Sequence, residues 1–213
     1  GTLAIADVRS GEFALVARAA EQHIQDMAWI DNESVLALAH VGTASALVTY
    51  TLDGEETARS VQDDVVLRSL DGQAGASRFA ATADAPTHPR EAFFVSADGA
   101  LERVQNHNEF LSARTLGDQQ VFRFEARDGV EILTVHGGPE AHDSNGWLTN
   151  YSDPGHIGAG DGYAVFYPNY RGSTGRGEAF AKAHQNDYAG TEFNDLVDGV
   201  DALVEAGIAD RDR

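Results

Sequence analysis

Val135-His136-Gly137-Gly138-Pro139 is the stretch that decides how the second half of this sequence is interpreted. A compact apolar run, residues 133–135, leads into the histidine and the two glycines. Because glycine lacks a Cβ atom, the backbone N–H groups here can turn toward a developing oxyanion with no side chain in the way. The stretch therefore predicts a strand that ends in a loop of anion-binding backbone groups.

The residues around this stretch alternate between strand and helix patterns. Residues 163–167 are a second compact apolar strand, and Asp153-Pro154 is typical of a helix start, with aspartate as N-cap and proline at the first helical position. Gly160 and Gly162 close that short helix. Strand, helix, strand, helix is the order of a parallel α/β sheet. Because a strand that runs into His-Gly-Gly-Pro builds half of an oxyanion hole in α/β-hydrolases, we expect the N-terminal part of such a domain.

The clearest predicted helix covers residues 192–206. Apolar residues recur every three or four positions along it, which predicts one buried face. Thr191 is placed to cap its N-terminus and Gly207 to end it. The predicted apolar face consists of Phe193, Leu196, Val197, Val200, Leu203 and Val204.

Residues 1 to about 105 have the pattern of short strands separated by turns. Asp-Gly pairs stand between apolar runs at Asp53-Gly54, Asp71-Gly72 and Asp98-Gly99. Glycine takes the positive φ that tight hairpin turns need, so these pairs predict antiparallel hairpins. A series of hairpins with few helical stretches is typical of a β-propeller or a sandwich. The pattern loosens around residues 106–117, as in a linker, so we expect an all-β part followed by an α/β part.

Composition excludes several function classes. The formal net charge of −19 argues against nucleic-acid binding, because phosphate contacts need a basic surface. The absence of cysteine excludes disulfides, thiol nucleophiles and cysteine-based metal sites. No apolar run approaches the ~18–20 residues of a membrane span. We therefore expect no nucleic-acid partner and no membrane contact, with a cytoplasmic location as the default.

Taken in order, the motifs resemble the prolyl oligopeptidase family of serine peptidases, in its acylaminoacyl-peptidase-like and dipeptidyl-peptidase-like branches. The similarity covers about residues 121–213. Over residues 1–120 it is looser and resembles the final blades of the family's β-propeller. The matching stretches are His136-Gly137-Gly138-Pro139-Glu140, Asn169-Tyr170-Arg171-Gly172-Ser173-Thr174-Gly175, Gly190-Thr191-Glu192 and Gly207-Ile208-Ala209-Asp210.

The resemblance implies a Ser-Asp-His peptidase whose β-propeller caps the active site and admits short or unfolded peptides. Residues 1–117 would be the C-terminal blades, and residues 118–213 the first part of an α/β-hydrolase domain. Gly137 and Gly138 would donate backbone hydrogen bonds in the oxyanion hole, and His136 would hold the oxyanion-loop position. The substrates would be peptides or N-acylated peptides, cleaved through an acyl-enzyme with no metal and no organic cofactor. Homo-oligomers are expected at the level of the family alone.

Two features depart from the family pattern. The family's catalytic serine, aspartate and histidine all fall beyond Arg213, and no Gly-x-Ser-x-Gly occurs, so we expect the 213-residue chain alone to be inactive. Residues 128–132 also run straight into the strand before His136, where family members place a second strand and a turn. We therefore hypothesise that residues are omitted between Val130 and Leu133, which Cα spacings of ~3.8 Å at every step would refute.

Several polar residues admit a functional and a structural interpretation. Ser173 and Thr174 lie in a glycine-rich turn with no adjacent base, so we interpret them as turn formers. His142 and His156 fit no zinc or calcium spacing, and we expect them to be solvated loop residues. Arg171 is expected to form a structural ion pair that holds the loop 169–175. The polar side of the last helix is expected to be solvated, and it carries Asp195, Asp198 and Asp201.

Two other functions stay open. An esterase or lipase would carry the same oxyanion strand, although such enzymes usually lack a propeller-like first half. A non-catalytic, truncated binding fragment would instead hold a partner on its propeller face. A serine-directed covalent probe separates an enzyme from a binding module, which takes up no label. The sequence leaves open the catalytic triad, exo- versus endopeptidase preference, side-chain specificity and oligomeric state.

Overall fold

The computed structural model describes residues 2–16, 21–128, 131–133 and 141–212, with residues 131–133 described by their backbone. Short strands fill the first two thirds of these residues and helices follow. The strands are β1 Ala4–Ala6, β2 Phe13–Leu15, β3 His23–Trp29, β4 Ser34–Val41, β5 Ala44–Thr51, β6 Glu56–Gln62, β7 Val66–Asp71, β8 Arg78–Ala85, β9 His88–Ser96, β10 Leu101–Arg103, β11 Arg123–Glu125 and β12 Glu131–Leu133. The helices are α1 Gly155–Gly160, α2 Gly177–Lys182 and α3 Thr191–Glu205, and a 3₁₀ turn covers Glu109–Ala113.

Eight strands form two four-stranded antiparallel sheets. The first sheet has the order β3-β4-β5-β6 and the second the order β7-β8-β9-β10, so each strand pairs with the next along the chain. This confirms the expected series of antiparallel hairpins. Gly54 and Gly99 have φ values of 90° and 87° in two of the turns, as the Asp-Gly pairs predict. Position 72 needs glycine for a different reason, the lack of a side chain, because a Cβ there would lie 2.4 Å from Cδ1 of Phe79.

Strand β4 of the first sheet is buried on both of its faces. Leu36 and Leu38 belong to one apolar cluster with Phe79 of the second sheet. Val35 and Ala37 point the other way, into a cluster with residues that flank the β1–β2 hairpin. Successive side chains of a strand face opposite sides, so the unbroken apolar run of β4 reflects a neighbour on each side. Sheets that stack in this way are typical of successive propeller blades.

The C-terminal part is built from the β11–β12 hairpin and three helices. Phe124 of β11 is buried, and Phe166, Phe180 and Ala202 pack against the cluster that contains it. Gly199 lets α3 approach this cluster, because a Cβ there would lie 2.8 Å from Cζ of Phe124. An antiparallel hairpin and helices are therefore present, whereas the described residues contain no parallel strand pair.

The predicted strand at residues 163–167 is not a strand in the structure. A strand needs a hydrogen-bonded neighbour, and no described residue runs alongside this segment as one. The other strand predicted for this part, residues 133–135, lies mostly outside the described residues. Leu133 is described, and it pairs antiparallel with Arg123. The α/β character of this part thus stays a prediction.

The boundaries of α1 and α3 agree with the two helices that the sequence predicts to within a residue, but the caps differ, and α2 was not predicted. Thr191 is the first helical residue of α3, and its N–H and hydroxyl donate to Oδ2 of Asp187 at 3.0 and 2.8 Å. Gly207, with φ of 72°, ends the helix as predicted. For α1, Pro154 occupies the N-cap position that we assigned to Asp153. At α3 the cap differs because the upstream Asp187 accepts the hydrogen bonds that an N-cap side chain would accept, and at α1 the first N–H groups donate instead to the hydroxyls of Tyr167 and Thr149.

The buried face of α3 matches only part of the face that the sequence predicts. Leu203 is buried as predicted, but Asp195 and Gly199 are the other buried residues, whereas Phe193 and Val200 are more than half exposed. The prediction was wrong at these positions because apolar periodicity gives no weight to a paired carboxylate or a glycine on the packed side. Separately, no helix within the described residues is both long and apolar enough to cross a membrane.

Candidate functional site

The predicted oxyanion residues His136, Gly137 and Gly138 lie outside the described residues. The omission hypothesis between Val130 and Leu133 also lies there, because residues 129 and 130 are not described. The structure does describe residues 141–147, which follow the motif directly. We call them the exit segment.

Two residues of the C-terminal part hold the exit segment from one side. Asn169, which is almost fully buried, accepts from the N–H of Asp143 at 2.8 Å and donates to its carbonyl at 2.9 Å. The N–H of Thr174 donates to the carbonyl of Ala141 at 2.9 Å. These bonds fix the backbone beyond the predicted oxyanion loop, as preorganised donors require.

The turn between β4 and β5 of the first sheet contacts both the exit segment and the loop 169–175. The N–H of Asn145 donates to the carbonyl of Thr43 at 2.7 Å, and the N–H of Gly42 donates to the carbonyl of Gly175 at 2.8 Å. The exit segment therefore lies at the junction between the sheets and the C-terminal part.

His142 lies inside this junction and is half-buried, so the expectation of a solvated loop histidine is wrong. Its Nδ1 contacts the Thr174 hydroxyl at 2.7 Å, and its Nε2 contacts the Ser144 hydroxyl at 2.9 Å. Its ring also packs edge-on against His40 with centroids 4.4 Å apart. Sequence spacing gave no signal for these contacts, because they join residues on three separate segments.

The Ser144 hydroxyl lies as close to His142 as a nucleophile lies to its base, but the burial and the hydrogen-bond partners of the two residues are not those of a catalytic pair. Ser144 is 2% exposed, and Nη1 of Arg68 donates to its hydroxyl at 3.3 Å. Nδ1 of His142 contacts a threonine hydroxyl where a catalytic triad has a carboxylate. We therefore assign the pair a structural role.

His156 is also half-buried rather than solvated. Its Nε2 lies 2.9 Å from the carbonyl of Pro86, and its ring packs on Trp147. Within the described part of the chain, no group of three or more potential metal ligands comes together.

Arg171 forms the structural ion pair that the sequence predicts. Its N–H and Nε each donate to Oδ2 of Asp195 at 3.0 Å, its Nη2 donates to Oδ1 of Asp195, and its Nη1 donates to Asp128. The hydrogen bonds to Asp195 raise the pKa of Arg171 above its ordinary value. This cluster joins the 169–175 loop to α3.

The expectation of a solvated acidic face on α3 is wrong at Asp195. Its side chain is fully buried against Arg171, because the pairing compensates for the removal of its charge from water. Asp198 pairs with Arg127 and Asp201 with Arg211. The sequence offered one signal, an aspartate in register with the small Gly199, which marks the packed side.

Ser173 and Thr174 act as turn residues. Ser173 is fully buried, and its hydroxyl donates to the carbonyl of Tyr170 at 2.7 Å. Gly172 has φ of 105°, and a Cβ there would lie 2.6 Å from Nδ1 of His184. The loop is therefore closed around its own backbone and offers no nucleophile.

Two buried titratable groups at the junction have displaced pKa values. Burial, and then the charge of Asp153, raises the pKa of Asp143 to about 7, against an attraction from Arg68. Burial, and then the charge of Arg68, lowers the pKa of His40 to about 4. Oδ2 of Asp143 and Nδ1 of His40 are buried and find no hydrogen-bond partner among the described residues.

These shifts give opposite dependences of stability on pH. Asp143 ordinarily titrates near 3.8, so between about pH 4 and pH 7 the folded state binds more protons than the unfolded state, and stability falls as pH rises. His40 ordinarily titrates near 6.5, so between about pH 4 and pH 6.5 stability rises with pH. We expect Asp143→Asn to remove the decrease in stability between about pH 4 and pH 7, so that the increase in stability caused by His40 becomes steeper.

Urea denaturation at half-unit steps from pH 4 to pH 8 measures both slopes. His40→Gln is the matched variant of opposite sign, because it should leave only the fall with rising pH. If the two variants change the slope of stability in the same direction, the assignment of these protonation states is wrong.

Comparisons with known proteins agree with the resemblance described in the sequence. Residues 151–213 match the model of the prolyl oligopeptidase family. Over 88 residues the chain is 42% identical to dipeptidyl aminopeptidase BIII of Pseudoxanthomonas mexicana, which covers 38% of this chain and 11% of that protein. Over 66 residues it is 41% identical to dipeptidyl-peptidase 5 of Aspergillus fumigatus, which covers 31% of this chain and 9% of that protein.

The fold resembles that of solved peptidase structures. An uncomplexed acylaminoacyl peptidase of Pyrococcus horikoshii superposes with a TM-score of 0.76 at 21% identity, over 95% of this chain and 34% of that one. A puromycin hydrolase superposes with a TM-score of 0.73 at 18% identity, over 99% of this chain and 36% of that one. These neighbours combine a propeller with an α/β-hydrolase domain. The chain thus spans between about a tenth and a fifth of the length of the curated relatives that it matches, and about a third of the length of the solved structures.

Proposed function

Because its C-terminal residues match the prolyl oligopeptidase family, we propose that this chain is part of a serine peptidase of the oligopeptidase type. The enzyme cleaves short or N-acylated peptides through an acyl-enzyme. Residues 1–117 supply C-terminal blades of a β-propeller, and residues 118–213 supply the first part of the hydrolase domain. The match of residues 151–213 to the family is the observation that carries this proposal.

In this proposal the chain supplies the oxyanion hole and no nucleophile. Gly137 and Gly138 provide backbone donors, and His136 shapes the loop. One such donor stabilises the transition state by roughly 3–4 kcal/mol in measured cases. The anchoring of the exit segment by Asn169 and Thr174 supports the assignment, because donors must be held before charge develops.

Peptides are the substrate class that the comparisons favour. Relatives named dipeptidyl peptidases are about 40% identical to the chain over the residues that they share with it. The net charge of −19 disfavours nucleic acid as a partner, and no metal or organic cofactor is required for acyl transfer. Self-association is the one assembly that we propose.

Labelling with a fluorophosphonate tests the proposal. We expect the natural protein that contains this sequence to be labelled on a serine outside residues 1–213, and the 213-residue chain to take up no label. Label on Ser144 or Ser173 would contradict the assignment of the oxyanion half to this chain. No label on the natural protein would favour a binding module.

A rate comparison separates a peptidase from an esterase. The natural protein is assayed with a dipeptide 4-nitroanilide, an N-acetylated amino-acid 4-nitroanilide and 4-nitrophenyl butyrate. A peptidase cleaves at least one of the anilides, whereas turnover of the butyrate ester alone supports the esterase.

A further inference from the structure

Arg68 and Asp84 form a paired, nearly buried unit on the second sheet. Nε and Nη2 of Arg68 donate to Oδ2 and Oδ1 of Asp84 at 2.8 and 2.9 Å. The side chains are 18% and 5% exposed, respectively. Two parallel bonds fix the guanidinium and the carboxylate in one plane, which gives the pair a defined direction as well as strength.

This pair reaches across the junction to the exit segment. Oδ1 of Asp84 accepts from the N–H of Trp147 at 3.0 Å, and Nη1 of Arg68 donates to the Ser144 hydroxyl at 3.3 Å. Between these residues lies Gly146, where a Cβ would stand 1.9 Å from Oδ1 of Asp84. The exit segment therefore lies directly against the pair, with two hydrogen bonds and no room for a side chain.

The contacts continue beyond the exit segment. The Ser144 hydroxyl contacts Nε2 of His142 at 2.9 Å, and Nδ1 of His142 contacts the Thr174 hydroxyl at 2.7 Å. The N–H of Thr174 in turn donates to the carbonyl of Ala141 at 2.9 Å. A continuous series of hydrogen bonds thus runs from the second sheet to Ala141, three residues after Gly138.

We propose that Arg68 and Asp84 are positioning residues for the hydrolysis proposed above, on which this inference rests. They hold the exit segment, which follows the predicted oxyanion residues Gly137 and Gly138 along the chain, from a separate part of the fold. Misplacement by about 1 Å costs roughly 100-fold in rate in oriented active sites. The second sheet therefore helps to position catalytic groups in addition to covering the active site.

Arg68→Lys tests this role in the natural protein, because lysine keeps the charge and loses the fork. With a dipeptide 4-nitroanilide, we expect kcat to fall at least tenfold while KM stays within twofold. Ser144→Ala, which removes the hydroxyl that joins Arg68 to His142, should lower kcat in the same way while KM stays within twofold. Arg78→Lys is the matched control, because Arg78 pairs with Glu102 on the same sheet with both side chains more than half exposed. That variant should keep the wild-type kcat.

Hydrogen exchange gives a second readout that needs no turnover. In Arg68→Lys, the amides of Asn145 and Trp147 should exchange at least tenfold faster, while amides of the first sheet keep their rates. If the wild-type protein is active and Arg68→Lys keeps both the wild-type kcat and the wild-type exchange rates of these amides, this inference is wrong while the proposed function stands. A wild-type protein that hydrolyses no peptide or ester overturns the proposed function and the catalytic part of this inference with it.

Discussion

Replacing Asp195 with alanine is expected to lower the free energy of unfolding by about 3–5 kcal/mol. The carboxylate is fully buried and accepts three hydrogen bonds from Arg171. Without it, a guanidinium that is only 11% exposed keeps Asp128 as its remaining carboxylate partner. Urea denaturation with linear extrapolation measures the loss.

Asp201→Ala is the matched control for this change. Asp201 lies on the same helix and pairs with Arg211, but the two side chains are 51% and 69% exposed. Exposed pairs of this kind contribute about 0–1 kcal/mol. Equal losses in the two variants would show that the Arg171 cluster does not hold α3 to the 169–175 loop.

Phe79→Ala is expected to cost about 3–5 kcal/mol as well. Phe79 is fully buried in the apolar cluster between the two sheets, and its ring lies against Gly72. Truncation leaves a cavity that neither sheet can close, because hydrogen bonds fix the backbone on both sides. Thermal and urea unfolding should both report the loss.

Phe94→Ala on the neighbouring strand is the comparison for Phe79→Ala. Phe94 is 39% exposed and lies under the guanidinium of Arg78 at 5.5 Å. Its loss should cost about 1 kcal/mol. A larger effect at Phe94 than at Phe79 would contradict the position of the core between the sheets.

The sequence predicts the all-β part well because its signals are local. An Asp-Gly pair specifies its own turn, as Gly54 and Gly99 show, and the strands on either side follow from it. The end of α3 at Gly207 is equally local. Gly72 is the exception, since its neighbour Phe79 could be identified only from the packing of the sheet.

Predictions about the candidate site succeeded where one residue type determines the partner. The sequence predicts an ion pair for Arg171, because the guanidinium fork suits such pairing, and the structure confirms an ion pair with Asp195. Its partner Asp195 was missed, because amphipathic periodicity treats every aspartate as exposed. His142 was missed for a similar reason, since its partners Thr174 and His40 are distant in sequence.

The junction between the sheets and the C-terminal part has a consequence for divergence among related chains. Two of its bonds, from Gly42 to Gly175 and from Asn145 to Thr43, join main-chain atoms that nearly every residue type carries. Proline at position 145 would remove the donating N–H, and the side chain at position 43 is limited in size because Thr43 is buried. Gly175 is restricted, because a Cβ would lie 2.9 Å from the carbonyl oxygen of Gly42. We therefore expect related chains to keep this contact even where their surface residues differ, and glycine at position 175 to be the residue that they retain most often.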